Sequence, residues 1–282
     1  MKTSRLLLCT DMDRTIIANG PQPQHPEAHQ RFCQLCRLPQ VTLIYVTGRS
    51  LQLVEQAIAE HNLPVPEYAI TDVGSKIYQH IQRSWQEMDT WQQQIQKDWR
   101  GKTPDQLHQV LAGIPALTLQ EESRQNDHKL SYYLSVNVDQ HQIIDHLEQQ
   151  LTELGVAASV IYSVDTQKDT GLIDILPRSA TKLDAIYFLQ HHLDYLLEEI
   201  VFAGDSGNDL QVLASPIRSI LVANADPEIR RQSLQLAAIN ACTNSLYLAQ
   251  QDNAPLGGNY TAGVLQGLVF FFPEIEKLME LS

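Results

Sequence analysis

Leu6-Leu7-Leu8-Cys9-Thr10 is an apolar run of five that stops on Asp11-Met12-Asp13-Arg14-Thr15. A run that short, ended by acids, reads as a buried parallel strand delivering two carboxylates to its C-terminal edge. Open α/β sheets bind ligands at that edge. Residues i and i+2 of an extended segment point the same way, so Asp11 and Asp13 can converge on one small volume. Like charges there repel, and a cation, a proton or splayed side chains must compensate. Taken alone, an Asp-x-Asp is ordinarily two surface acids in a turn. The rest of the chain decides.

The pattern recurs. Residues 27–38 carry Ala28, Phe32, Leu35 and Leu38 at helical spacing, then Val41 to Val46 forms a β-branched run that ends on Thr47-Gly48-Arg49-Ser50. A helical stretch (Leu51, Val54, Ala57, Ile58) leads to a short third strand, Tyr68-Ala69-Ile70, and then Asp72-Val73-Gly74-Ser75. Strand–helix–strand–helix–strand predicts a doubly wound parallel sheet. After about residue 82 the character changes. Trp85, Met88, Trp91, Ile95 and Trp99 fall on one face of a predicted helix over 85–100, and His128 to Val136 alternates with period two. A helix over 140–154 and strands over 159–164 and 171–176 complete a small α+β module. The first pattern resumes with Lys182 before a helix, and with Ile200-Val201-Phe202-Ala203 ending on Gly204-Asp205-Ser206-Gly207-Asn208-Asp209. The expected organisation is an α/β core of residues 1–83 and 178–282, interrupted by an inserted α+β cap of 84–177.

Charge limits the partners. Twenty basic and 33 acidic residues leave a formal net charge of −13, which disfavours nucleic acid and anionic membranes. The apolar run before Asp11 is too short for a secretory signal, and no stretch approaches a membrane span, so the cytoplasm is the default location. Cys33-x-x-Cys36 has no second pair for zinc, and its apolar neighbours read as a packed helix; with Cys9 and Cys242 these are expected to be structural thiols. His191-His192 and the other histidines lack ligand spacing and read as surface residues.

Chemistry now sits at four element ends that a doubly wound sheet brings to one edge: Asp11 and Asp13, Thr47 and Gly48, Lys182, and Asp205 with Asn208 and Asp209. Acids, a hydroxyl with a backbone N–H, and one ammonium are the equipment of phosphoryl transfer. Hard oxygen ligands suit Mg²⁺ rather than zinc. Asp11-x-Asp13-x-Thr15, Thr47-Gly48-Arg49, Lys182 and Gly204-Asp205-x-x-Asn208-Asp209 together resemble, in order, the four motifs of the haloacid-dehalogenase-like phosphatases. Thr47-Gly48-Arg49-Ser50, Val73-Gly74-Ser75-x-Ile77-Tyr78, Lys129-x-Ser131-Tyr132 and Asp174-x-Leu176-Pro177 are similar to the sucrose-phosphate phosphatase family within them.

The resemblance implies a Mg²⁺-dependent phosphatase acting on a phosphorylated disaccharide, sucrose 6-phosphate first, with mannosylfructose phosphate or glucosylglycerate phosphate as alternatives. A phosphomutase and a non-catalytic sugar-phosphate-binding module are the other classes. The retained acids and lysine argue against the second of these. It also implies roles. Asp11 would be the nucleophile and Asp13 the proton shuttle. Thr47 and the Gly48 amide would hold phosphoryl oxygens, and Lys182 would neutralise the phosphoryl group. The metal group would be Asp11, Asp13 through its main-chain carbonyl, Asp205 and Asp209. Asn208 and Asp209 would also brace the lysine or the turn, with Asn208 counted toward substrate. A cognate sugar-phosphate synthase is the implied protein partner.

Arg49 is open between clamping the sugar and pairing with an acid. Arg14 departs from the small or amide residue usual at its place; it can face away, pair with Asp72 or touch the leaving group. Ser179 and Thr181 read as helix caps. In the cap, Lys129, Ser131, Tyr133, Tyr162, Asp169 and Asp174 are candidates for sugar hydroxyls, each matched by an ordinary polar sheet face.

Overall fold

The computed structural model describes residues 5–135, 137–165, 168–251 and 255–276. In chain order, β1 (Leu6–Thr10), α1 (Pro26–Leu35), β2 (Val41–Val46), α2 (Leu51–Glu60), β3 (Tyr68–Thr71), β4 (Lys76–Ile81) and β5 (Ser84–Glu87) open the fold. Next come α3 (Asp89–Ile95), α4 (Pro104–Leu111), β6 (Leu117–Leu119), β7 (Leu130–Leu134), α5 (Gln140–Glu153), β8 (Ala158–Asp165) and β9 (Thr170–Pro177). The chain returns through α6 (Lys182–His192), β10 (Ile200–Gly204), α7 (Leu210–Leu213), β11 (Arg218–Leu221), α8 (Pro227–Ile239), β12 (Leu246–Leu248) and α9 (Thr261–Phe271).

The large sheet runs β12-β11-β10-β1-β2-β3-β4-β5. Pairing is parallel from β12 to β3 and antiparallel at β4 and β5. From β1 the chain winds one way through β2 and β3, and later the other way through β10, β11 and β12. The reversal lies between β1 and β10, where such a sheet opens a crevice. β1 is buried on both faces. Leu6 and Leu8 join Phe32, Val54, Leu265 and Leu268, while Leu7 and Cys9 join Trp91, Ile186, Leu189 and Leu213. Helices therefore cover both faces, and each buried leucine contributes roughly 1.5–3 kcal/mol. This is the expected doubly wound α/β core.

The expected change at residue 84 comes too early. β5 extends the large sheet by pairing with β4, and Trp91 and Ile95 of α3 are buried in its core. Trp85 lies in β5, not on a helix. The second sheet, β6-β7-β9-β8, is antiparallel. One face meets α4 and α5: Leu130, Tyr132, Leu134, Ile173 and Ile175 pack with Leu107, Leu111, Leu147 and Leu151. The period-two stretch expected to reach Val136 forms β7; Val136 lies outside the described residues. All four cysteines are free thiols. Among the described residues, no helix is long and apolar enough to cross a membrane.

Candidate active site

The C-terminal ends of β1, β2 and β10 lie side by side and carry the acids and the threonine. Asp11 directly follows β1, its N–H bonded to the Ala203 carbonyl of β10 at 2.8 Å. Lys182 opens α6, whose start is fixed by a capping box in which the Thr181 side chain accepts from the Asp184 N–H. That places a fully buried ammonium at the sheet edge. Its Nζ lies 3.4 Å from Asp11 Oδ1 and donates to Asp209 Oδ1 at 2.7 Å and Asn208 Oδ1 at 2.8 Å. Ser179 serves differently from a simple cap: its N–H and hydroxyl both donate to Asp98.

The turn after β10 is shaped by Asp209. Its Oδ2 accepts from the N–H groups of Asp205 and Ser206, both at 3.0 Å. A Cβ on Gly204 would come within 2.6 Å of that carboxylate, so glycine is required where the turn closes on it. Asp205 accepts from Arg14 Nε at 3.0 Å and from the Thr15 hydroxyl at 3.4 Å. Arg14 therefore pairs with Asp205 and not with Asp72. On the other side, Arg49 grips Asp13 with two bonds of 2.7 Å, and Asn19 adds a third of 2.7 Å. Thr47 is buried at the end of β2, with its hydroxyl accepting from the Arg49 N–H. A Cβ on Gly48 would be 3.9 Å from the Asn208 amide nitrogen, so this loop faces the Asp205 turn.

Electrostatics divides the two leading acids. Burial pushes Asp11 well above the usual carboxylate range; Lys182 opposes this, and Asp209, Asp205 and Asp13 reinforce it. Burial also works against charge on Asp13, but the Arg49 bonds outweigh it, and its pKa falls below the ordinary value. Burial, with Asp209 next, raises Asp205 to about 7 against the pull of Arg14. Lys182 is raised: desolvation opposes its charge, and Asp11 and Asp209 overcome that.

Asp11, Asp205 and Asp209 offer carboxylate oxygens that all lie within 4.8 Å of one another, and all three are buried. Buried acids brought this close together, presenting hard oxygens, fit a divalent cation of the magnesium kind. Asp13's carboxylate stands outside this group, taken by Arg49 and Asn19; only its main-chain carbonyl is left for the metal role, as the resemblance had it.

In the cap, Lys129 and Ser131 gather with Asp174. Lys129 Nζ lies 3.6 Å from Asp72 of the core and 3.9 Å from Asp174, and the Ser131 hydroxyl donates to Asp174. Tyr133 shares the face of Ser131, but its hydroxyl donates to Glu121. Tyr162 does not join them. It pairs with Ile173 in register, on the opposite face from Asp174, and packs among the cap's apolar residues. Asp169 sits exposed in the β8–β9 turn at φ 48°. Sequence reasoning named Thr15 only as part of the opening motif, and missed Asn19 and Asn224 as partners of the site. Asn19-Gly20 signals a turn, but nothing local announces that Asn224 meets Arg14, 210 residues away.

A doubly wound sheet with this acidic, lysine-bearing edge and an inserted α+β sheet defines the haloacid-dehalogenase-like phosphatases. Within that class the chain belongs to the sucrose-6F-phosphate phosphohydrolase family, which it matches over residues 4–272. It is 44% identical over 276 residues to a protein of Nitrosococcus oceani named only as a HAD-like hydrolase, covering 98% of this chain and 74% of that one. It is 30% identical to the mannosylfructose-phosphate phosphatase of Agrobacterium fabrum, over 81% of this chain and 87% of the relative. The chain spans only 54% and 59% of the length of two tobacco sucrose-phosphatases it also matches. Its fold resembles the Synechocystis sucrose-phosphatase solved with sucrose and phosphate, with a TM-score of 0.77, 28% identity and coverage of 95% and 98% of the two chains.

Proposed function

We propose that this chain is a Mg²⁺-dependent phosphatase that releases inorganic phosphate from a phosphorylated disaccharide, with sucrose 6-phosphate as the first substrate. The observation that carries it is the meeting of Asp11 with buried Lys182, beside Asp205 and Asp209, at the switch point between β1 and β10. Asp11, Asp205, Asp209 and the Asp13 main-chain carbonyl would hold magnesium, which would supply positive charge to the phosphoryl oxygens.

The chain's own residues account for the rest. An Asp11 oxygen attacks phosphorus, and the bond from phosphorus to the sugar oxygen breaks. Asp13 gives its proton to the departing oxygen. Water then attacks the aspartyl-phosphate, passes a proton to Asp13, and the Asp11 carboxylate is restored. Lys182, Thr47 and the Gly48 N–H hold the phosphoryl oxygens, with Asn208 bracing the lysine. Asp13 holds little proton while Arg49 grips it. An arriving phosphoryl dianion gives Arg49 a competing anion, which frees Asp13 to take up a proton. Lys129, Ser131, Tyr133 and Asp174 present the polar face for the sugar, and the cap closes over it.

A second reading keeps the chemistry and changes the sugar to mannosylfructose phosphate, favoured by the Agrobacterium relative, most of whose length is matched. A cognate synthase as partner and a cytoplasmic location belong to the same proposal. The test is phosphate release from a panel of sugar phosphates with and without millimolar Mg²⁺. Sucrose 6-phosphate turned over fastest, only with Mg²⁺, is the expected result. No release from any of them ends the hydrolase reading, and full activity in Asp11→Ala ends the assignment of the nucleophile.

A further inference from the structure

Arg14 follows the second acid of the opening motif and points its guanidinium at Asp205. The contact is built. Nε donates to Asp205 Oδ2 at 3.0 Å, and Nη2 donates to the Asn224 carbonyl at 2.9 Å. Asn224 returns a bond from its amide to the Arg14 carbonyl at 2.6 Å and is itself fixed by the Tyr260 N–H at 2.7 Å. The Arg14 backbone sits at φ 56°, an uncommon region for a long side chain, secured by a bond from its N–H to Asn19 Oδ1 at 2.9 Å. A Cβ on Gly20 would approach Arg14 Nη1 to 3.2 Å and the Tyr260 hydroxyl to 2.8 Å, so the wall beside the guanidinium is cut to glycine size.

The charge count shows what this does. Arg49 answers Asp13, and Lys182 answers Asp11 and Asp209. Arg14 answers the remaining acid, Asp205. A divalent cation needs carboxylate lone pairs and negative charge. Here Asp205 already accepts from Arg14 on Oδ2 and from the Thr15 hydroxyl on Oδ1, and a fixed positive charge stands beside the ligand.

We propose that Arg14 is a resident counter-cation of Asp205 that competes with the divalent metal, so the chain binds Mg²⁺ more weakly than the same site without it and is settled when metal-free. The inference rests on the reading of Asp11, Asp205 and Asp209 as a magnesium group. It is tested by calorimetric titration of Mg²⁺ into the metal-free full chain, with melting temperatures measured in chelator and in Mg²⁺. R14N suits the backbone, since asparagine tolerates positive φ, and R14K keeps the charge. R14N should bind Mg²⁺ roughly tenfold or more tightly, melt lower in chelator and gain more from Mg²⁺, while R14K stays within about threefold of the wild type. R14Q carries the same expectation should R14N fail to fold in chelator. Equal or weaker Mg²⁺ binding by the neutral variants, with the wild type still binding, overturns the competition and makes Arg14 an orienting partner of Asp205. No Mg²⁺ binding by any of them overturns the magnesium reading and this inference with it.

Discussion

Two buried lysines each sit between two carboxylates, and they differ in reach. Lys182 meets Asp11 at 3.4 Å and Asp209 at 2.7 Å, with all three residues on the large sheet's edge. Lys129 stands 3.6 Å from Asp72, in the turn after β3 of the large sheet, and 3.9 Å from Asp174, in β9 of the second sheet. The first arrangement is closed by direct hydrogen bonds within one rigid element set. The second spans core and cap at distances longer than a good hydrogen bond, so it is the looser of the two. Under the proposed function, the difference would separate a place that performs one reaction on any phosphate ester from a place that selects which ester arrives.

The sharpest way to break that division is at the nucleophile. Asp11→Asn keeps the shape and removes the attacking oxygen anion; turnover should fall by about 10⁴-fold or more on every substrate, including a small aryl phosphate that never reaches the cap. Stopped and continuous phosphate assays on both substrate types check it. A loss confined to disaccharide phosphates would mean that the core site is itself selective. Next in size is Lys182→Met. It strands Asp11 and Asp209 in a buried setting, where breaking a paired charge costs about 3–5 kcal/mol. Denaturant unfolding in chelator reads that loss, and activity falls on both substrates together.

What could be read from sequence follows the same line. β1, β2 and β10 announce themselves because each apolar run is local and stops on its own polar residues. The four motifs then fall on one edge through topology alone. The hairpin from β4 to β5 was hidden. Its turn uses Gln82 and Arg83 at φ 50° and 66°, where an Asn-Gly pair would have signalled the reversal. Without that signal, Trp85 and Met88 read as the start of a helix. The partners of Asp205 and Asp13 were equally hidden, because Arg14 meets Asp205 across 191 residues and Arg49 meets Asp13 across 36. From sequence, Asp72 is the acid offered to Arg14, whereas the fold pairs Arg14 with Asp205. Packing chose, and gave Asp72 to Lys129.

Lys129→Met tests the other half of the comparison. It should raise KM for the preferred disaccharide phosphate about tenfold or more, the worth of one hydrogen bond to a charged group, and leave hydrolysis of the aryl phosphate within about threefold. Equal loss on both substrates would place Lys129 with the core chemistry and erase the distinction.

The smallest effect is a matter of pH. Burial raises the Asp72 carboxyl above its ordinary value, with Lys129 and the Thr71 hydroxyl pulling the other way. An acid whose pKa is higher in the folded chain binds more protons there than when unfolded, so stability falls as pH rises from about 3.9 through the raised value. Asp72→Asn is a fair probe, because asparagine accepts the φ of 51° that Asp72 adopts. Asp11 and Asp205 give slopes of the same sign, but these are common to both proteins. Unfolding midpoints across that window should therefore converge at its acid end and separate above it, with Asp72→Asn gaining on the wild type as pH rises. If the wild type gains instead, Lys129 outweighs burial at Asp72. The contact between core and cap would then be a true ion pair, as firm as the one at Lys182.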